Sequence, residues 1–596
     1  MVTSRTVPCR GEAVEPYSEC LAHLSARDRA RHMNSMHERR SVSYRGTTID
    51  SDLFRHITTV LEQGNTQASF SYCRFTGEVL QPAGAFRSPI SFASAVFEGM
   101  AYFIEVQFLQ GVEFDGAKFQ DSAFFEDAKF HEVTSFDGAT FEAWATFERA
   151  HFGNDVFFQE VQFEKAAFDS ASFTEWALFK GATFSAKASF ARAQFQKIAE
   201  FQGVKFGNVA SFSETEFMQI AHFDDAASDA DMVFNRARFT ELPRLGPIRC
   251  KGHLDLSHTR FDQPVLLIAD ASSALIRHTI FLSHASAQLT GANLDLTHAV
   301  LNQPMDIIGT PATIDFETGS IQSVSVSSLR GVDCAMLTLA GVSLTNCTFS
   351  GAVHLDQLRL EGRWHFNASP HGFSFTPPFR YTRRQVIEEE RRRRSLSGRR
   401  NSQIVWGSPP IDRSTPRHDA LAIIYRQLRK SREDAKDEPG AADFYFGEME
   451  MRRLSRNWST SERWLLQVYW LLSGYGLRAS RALGWLCLAM LTTILLMMGF
   501  GLPQNSPGQE ATGVLPPNGG KITFEIDQKD AANPDAERFN SGRFEKALKV
   551  TLNSVVFRSS GQELTTAGDY IEMASRFCEP ALIGLAVLAI RGRVKR

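Results

Sequence analysis

Between Phe103 and Phe223, phenylalanine returns at alternating steps of five and six residues, as in Phe103, Phe108, Phe114, Phe119, Phe125, Phe130, Phe136, Phe141 and Phe147. A small residue, usually alanine, stands two positions before most of them, for example Ala117, Ala123, Ala128, Ala139 and Ala145. An eleven-residue double step has two readings. One is a right-handed coiled coil, because eleven residues make three turns of a slightly unwound helix. On such a helix the two phenylalanines of a unit lie roughly 130° apart, which leaves no single apolar stripe. Glycines inside the units (Gly116, Gly138, Gly181, Gly203) lower helix propensity further. The other reading is a solenoid. Each unit forms one side of a coil, the ring and the small residue both face the axis, and four units close a coil of about 22 residues, stacked about 4.8 Å from the next.

The unit Ala-x-Phe-x-x, together with the plainer Ala292-Asn293-Leu294-Asp295-Leu296, resembles the pentapeptide-repeat family. The resemblance implies a right-handed, four-sided β-helix from roughly Phe86 to Phe366. The fold class expected is therefore mainly β: a right-handed quadrilateral β-helix, then an α-helical hairpin and two transmembrane helices. Six segments follow. Residues 1–85 read as a helical N-terminal cap, with Leu53, Ile57, Val60 and Leu61 at helical spacing. Residues 86–240 are the Phe-rich β-helix, and residues 241–366 its irregular continuation, where Leu, Ile and Val replace Phe. Residues 367–416 read as a basic linker, because Arg391 to Arg394 and Glu388 to Glu390 lie beside Ser, Gly and Pro, either plainly solvated or drawn to anionic lipid headgroups. Residues 417–482 hold a helical hairpin broken at Glu438-Pro439-Gly440, then an interfacial helix. In that hairpin Glu448 and Glu450 fall on different faces and read as packing plus solvated charge. Residues 483–596 form a membrane module.

The stretch Leu483 to Leu502 is uncharged and matches a bilayer core of about 20 residues. Trp464, Tyr469, Trp470 and Tyr475, followed by Arg478 and Arg481, suit a helix lying at the membrane surface. A second span, Ile571 to Ile590, carries Glu572, Arg576 and Glu579 along one helical face, where charge needs a partner or a water-filled cavity; the other reading leaves Ile571 to Glu579 outside the hydrocarbon and inserts only the remainder. Basic residues precede the first span and follow the second (Arg591, Arg593, Lys595, Arg596). The positive-inside rule then places the solenoid and the C-terminus in the cytoplasm of a multi-pass cell-membrane protein, and the hairpin resembles the juxtamembrane hairpin of bacterial pentapeptide-repeat proteins, which implies a bacterial cell membrane. Between the spans, the amphipathic stretch Phe544 to Phe557 leads into Thr565, Thr566, Ala567, Gly568 and Asp569. This order is similar to a potassium-channel pore helix and filter, which implies a homotetramer around the pore-like loop. The loop departs from the family at Asp569 and Tyr570, where the second glycine of a filter is lost.

A chain of 596 residues with a net charge of −3 calls for several modules and carries no global nucleic-acid signature. Eight scattered cysteines argue against a disulfide framework, and the first forty residues lack the apolar core of a signal peptide. Cys9, Cys20 and His23, with His32 further on, are loosely spaced zinc candidates; the other reading is a helix packed on the repeat. Residues 86–240 hold 23 Asp and Glu against 12 Lys and Arg, which reads either as an ordinary solvated face or as a surface that repels nucleic acid and attracts basic partners. Some pentapeptide-repeat proteins mimic duplex DNA and bind topoisomerases. The aspartates at 224, 225, 229 and 231 interrupt the beat without the spacing of an EF-hand and read as an exposed bulge. With no phosphate-cradling glycine loop, nucleophile elbow, His-Glu-x-x-His or triad, the expectation is no enzyme and no cofactor. Membrane lipid and a protein on the solenoid face are the expected partners. Two functions follow: a membrane-anchored solenoid whose C-terminal module forms an ion-channel-like pore, or a tethered protein-binding scaffold or DNA mimic that does not conduct.

Overall fold

A computed structural model describes residues 10–310, 323–370, 372–373, 380–381, 383–397, 406, 415–504, 509–513, 519, 524–528, 533, 537–556 and 563–594. The chain divides into two units, Met1–Pro416 and Arg417–Arg596.

The first unit is a parallel β-solenoid of about 14 turns. One face stacks nine strands, from Ser41–Ser43 to Ala221–His222, and another stacks eleven, from Ala85–Phe86 to Val300–Leu301. The remaining faces share one 23-stranded sheet, made continuous where long strands such as Arg244–Asp255 and Val265–Leu275 pass round a corner. Pairing joins each residue to its equivalent one coil away: Phe97 to Phe119, Phe119 to Phe141, Phe141 to Phe163. Their rings stack at 4.5, 4.6 and 4.9 Å, within 11° of parallel. Three further columns run from Phe70 to Phe223, Phe103 to Phe234 and Phe86 to Phe281. Neighbouring columns meet edge to face, as Phe136 and Phe147 do at 5.5 Å and 86°, the preferred geometry for ring quadrupoles. The alanines two positions earlier are buried as well. Where steps of five run together near Phe163 and Phe168, the coil is one residue short, and a register shift between Phe141 and Trp144 absorbs it. Beyond Phe239 the coils shorten again, and Phe261 pairs with Phe281 twenty residues on.

The glycines are not merely poor helix formers. Gly138 and Gly203 sit two residues after an inward ring, at a corner where φ is +65° and +67°. Glycine takes that conformation at no steric cost; in another coil Asp225 holds the same corner at φ +58°.

Both ends differ from expectation. The parallel ladder starts at Ser41, not Phe86, so residues 1–85 contribute coils as well as helices. Of these helices, α1 is Ala26–Ser35 and α2 is Ser51–Gln63. Asp50 caps α2 by accepting the Leu53 N–H at 2.8 Å, and Phe54 lies edge-on to Phe75 at 5.3 Å, covering the first rings. At the other end the expected linker contains a helix, α3 (Glu388–Ser397). Its Glu389 accepts the backbone N–H groups of Phe349 and Ser350 at 2.5 and 2.9 Å, in place of the carbonyl of a further coil. Glu390 is fully buried and is held by Arg384 at 2.5 Å and Arg394 at 2.6 Å; Glu388 is held by Arg391 at 2.5 Å and Arg392 at 2.9 Å. The chain reads as a charge block because its acids are the inner half of this cap.

The second unit contains α4 (His418–Asp434), α5 (Glu438–Ser455), α6 (Ser461–Ser473), α7 (Ala479–Leu496), α8 (Ser541–Val556) and α9 (Thr566–Val594).

Two predictions follow from the first unit. Replacing Phe147, fully buried and stacked at 4.8 Å on both Phe125 and Phe168, by alanine lowers the unfolding free energy by about 3–5 kcal/mol in denaturant titration; a near-neutral value would place the ring outside the axis. The second concerns pH. Burial opposes the charge of Glu388, but hydrogen bonds from Arg391 and Arg392 prevail and hold its carboxyl below the ordinary value of 4.5. A depressed acid stabilises above its unfolded value and loses that contribution as pH falls through the folded one. The melting-temperature gap between the native chain and Glu388→Gln is therefore widest at neutral pH and closes as pH falls below 4.5; a pH-independent gap would refute the ion-pair role.

Candidate functional site

In the second unit, α4 and α5 form the expected hairpin, but its acids are not solvated. Glu448 is buried among Arg426 at 3.1 Å, Arg429 at 2.9 Å and Arg452 at 2.8 Å. Glu450 accepts from Arg453 at 2.8 Å and from the Tyr475 hydroxyl at 3.0 Å, and Arg453 also donates to Gln467 at 2.7 Å. Arg426 and Arg429 stand three residues apart on α4 and Arg452 four residues after Glu448 on α5, so both helices present guanidinium groups to the same carboxylate. Helix α6 leaves Trp464, Leu465, Val468 and Leu471 exposed on one side, while Arg453 and Arg481 lie over the ring of Trp470 at 4.9 and 5.3 Å.

Two helical stretches are long and apolar enough to cross a membrane: Ala479–Gly501, which is α7 continued through a wider turn at Met497–Gly501, and Thr566–Arg591 within α9. At 1.5 Å per residue both exceed a hydrocarbon core of about 30 Å. They pack against each other, and Thr493 Oγ1 donates to Glu579 Oε1 at 2.9 Å where both side chains are buried. On the expected charged face Arg576 donates to Glu572 at 2.8 Å. The face is thus divided: Glu572 and Arg576 satisfy each other, and Glu579 turns to α7. Pro580, inside α9, has no N–H for the carbonyl of Arg576. Outward lie Tyr570, Met573 and Phe577, the last 86% exposed. Helix α8 places Ala547 and Val550 against Ile494, Met497, Met498 and Leu502, and Arg543 donates to the carbonyls of Met498 and Leu502 at 2.9 and 2.8 Å. Phe557, the expected end of this amphipathic stretch, lies outside the described residues.

The pore-like loop takes a different form from the one its sequence suggests. Thr566, Ala567, Gly568 and Asp569 are the first turn of α9, not an extended run of inward carbonyls. Thr565 caps that turn: its hydroxyl accepts the Gly568 N–H at 3.1 Å and donates to the Phe500 carbonyl at 2.6 Å, and its own N–H bonds Gly501 at 3.1 Å. Gly568 is glycine because the backbones touch; a Cβ there would lie 2.5 Å from the Gly501 oxygen.

On the solenoid, a shallow groove of about 390 Å3 crosses the nine-stranded face, with Pro89, Val133 and Phe157 beside Glu113, Asp115 and Asp137. Burial, then the charges of Asp115 and Glu160, push the Asp137 carboxyl above its ordinary range against the bond from the Gln159 N–H. Trp176, 47% exposed, belongs to the same face. The expected bulge at Asp224 to Asp231 is an ordinary part of the ladder, with strands Ala227–Ser228 and Met232–Val233; its aspartates serve neighbouring coils, as when Asp229 meets Lys251 at 2.8 Å. Of the zinc candidates, Cys20 Sγ lies 3.1 Å from His23 Nδ1, while His32 turns to the Tyr44 hydroxyl at 3.0 Å; Cys9 lies outside the described residues. Among the described residues no group of three or more ligating side chains is assembled.

Against this geometry, a family model for pentapeptide repeats matches residues 114–162 and 190–238, with nine copies. No curated protein and no solved structure matches the chain. The matched residues cover two stretches of the stacked phenylalanine columns and none of the second unit.

One prediction separates the two roles of Gly568. Gly568→Ala forces α9 away from Gly501 and lowers the stability of the detergent-solubilised protein by about 1–3 kcal/mol, the usual range for overpacking; an unchanged melting temperature would mean that the close approach does not occur.

Proposed function

We propose that this pentapeptide-repeat solenoid is a membrane-tethered, non-enzymatic adaptor: α7 and α9 hold it in the cell membrane, and its acid-rich faces receive a basic protein partner on the cytoplasmic side. The observation that carries the tether is the pair of long apolar helices packed together, with Tyr570, Met573 and Phe577 of α9 and Leu488, Leu491 and Leu495 of α7 all turned outward. A soluble protein would bury such a surface. The exposed side of α6 continues the apolar surface ahead of α7, as a helix lying in the headgroup region does. On the solenoid the groove beside Glu113, Asp115 and Asp137 offers a cation-seeking surface with an apolar floor. DNA-binding enzymes such as topoisomerases are the class of basic partner that the repeat resemblance suggests.

The ion-channel reading keeps one supporting observation, the packing of α8 on the end of α7 between the two spans. It gains nothing from the filter-like residues, which are wound into α9. The adaptor reading needs neither a filter nor four copies, so it is preferred.

The full chain should remain with the membrane fraction through alkaline carbonate extraction. Leu491→Arg combined with Leu495→Arg, each costing about 2.5–3.5 kcal/mol at the centre of a span, should release it into the supernatant. Native protein extracted by carbonate alone would overturn the tether.

A further inference from the structure

The α7–α9 pair contains more than a tether requires. A groove of about 510 Å3 runs between the helices, walled by Trp485, Leu488, Leu496, Ile571 and Leu582. Glu579 lies in it with no exposed surface. Thr493 satisfies Oε1, whereas Oε2 has no hydrogen-bond partner among the described residues. The neighbouring cation on the same helix, Arg576, is committed to Glu572. An apolar groove does not hold a bare carboxylate; a proton or a cation must accompany it. Helix packing alone is served by leucine at such a position, so the acid marks a ligand.

We propose that this groove binds a lipophilic amine, with one apolar chain along the groove and its nitrogen at Glu579 Oε2. The amine enters neutral. Its nitrogen lone pair takes the proton from the carboxyl O–H, leaving an ammonium paired with a carboxylate and no change in the net charge of the groove. Depth selects the source. Glu579 stands about 20 Å along α9 from Thr566, at 1.5 Å per residue, near the middle of the stretch Thr566–Arg591. The headgroups of bilayer lipids stay at the interface, whereas a free single-chain amine reaches this level. This choice of source rests on the membrane reading above; the groove and its acid do not.

The test uses the full chain in detergent micelles and dicyclohexylcarbodiimide, which couples to protonated carboxyls in apolar surroundings, with the modified residue located by peptide mass. Glu579 should be labelled, and dodecylamine at ten times its half-protecting concentration should lower that labelling about tenfold by mass action. Dodecanol and dodecanoate, which have the same chain without a basic nitrogen, should not protect. Glu579→Gln should retain no radiolabelled dodecylamine, and the exposed control Glu563→Gln should retain it fully. An unlabelled Glu579, labelling indifferent to the amine, or equal protection by dodecanol would each overturn the site. Protection that is complete without amine and relieved on dilution to monomer would make the occupant a second copy, and would overturn it too. Because the site is read out in micelles, its failure is separate from failure of the carbonate extraction.

Discussion

The spacing of parallel strands, about 4.8 Å, governs the solenoid. Each coil is laid on the last at this distance, so every side chain sits directly on its equivalent one coil away. A flat ring tolerates its own copy at such a separation, and the phenylalanine columns hold centroid distances of 4.5 to 5.5 Å. The columns then have to fill a fixed cross-section, which they do by meeting edge to face. What remains beside each ring admits a methyl group, and alanine occupies it. Surface charge obeys the same spacing: Arg149 meets Asp127 at 2.7 Å and Arg277 meets Asp295 at 2.7 Å, each pair one coil apart. The first pair is exposed and contributes little, whereas in the second the Asp295 carboxylate is mostly buried. They set which charges can be neighbours, and they leave the net acidity of the faces intact.

This regularity explains what could be read from the chain. A repeated constraint writes a repeated pattern, so the inward Phe and Ala positions were legible residue by residue, as was the 22-residue coil. The corner glycines carried half a message: their helix-breaking character was visible, but the positive φ that selects them emerges only once the corners are placed. The ends were not legible. Glu388 to Glu390 beside four arginines have the composition of a solvated tract, and nothing local tells that Glu389 meets the N–H groups of Phe349 and Ser350, some forty residues earlier. The start of the ladder at Ser41 was hidden for a related reason, since α2 interrupts the coil between Asp50 and the strand Gln67–Ser69.

In the helical unit, length and apolarity disclosed the two long apolar helices, and the same physics that made Glu572, Arg576 and Glu579 conspicuous made them pair or turn inward. The burial of the hairpin acids is not legible locally, because helical phase places Glu448 and Glu450 apart without saying that arginines from two helices converge on the first, or that Tyr475 closes over the second. The run Thr565 to Gly568 admits two readings. A threonine followed by a glycine serves a carbonyl-lined filter, and it equally serves a helix cap followed by a close backbone contact. Only the position of Gly501 decides between them.

The carboxylate of Glu389 also bears on size. A parallel solenoid has no intrinsic length: its last coil offers the same row of donors that accepted every coil before it, and the first coil of another molecule would present a matching row. Such an end is the growing tip of a filament. By placing one acid against the N–H groups of Phe349 and Ser350, and burying that acid beside a helix of ion pairs, the chain occupies donors on which a further coil could be laid.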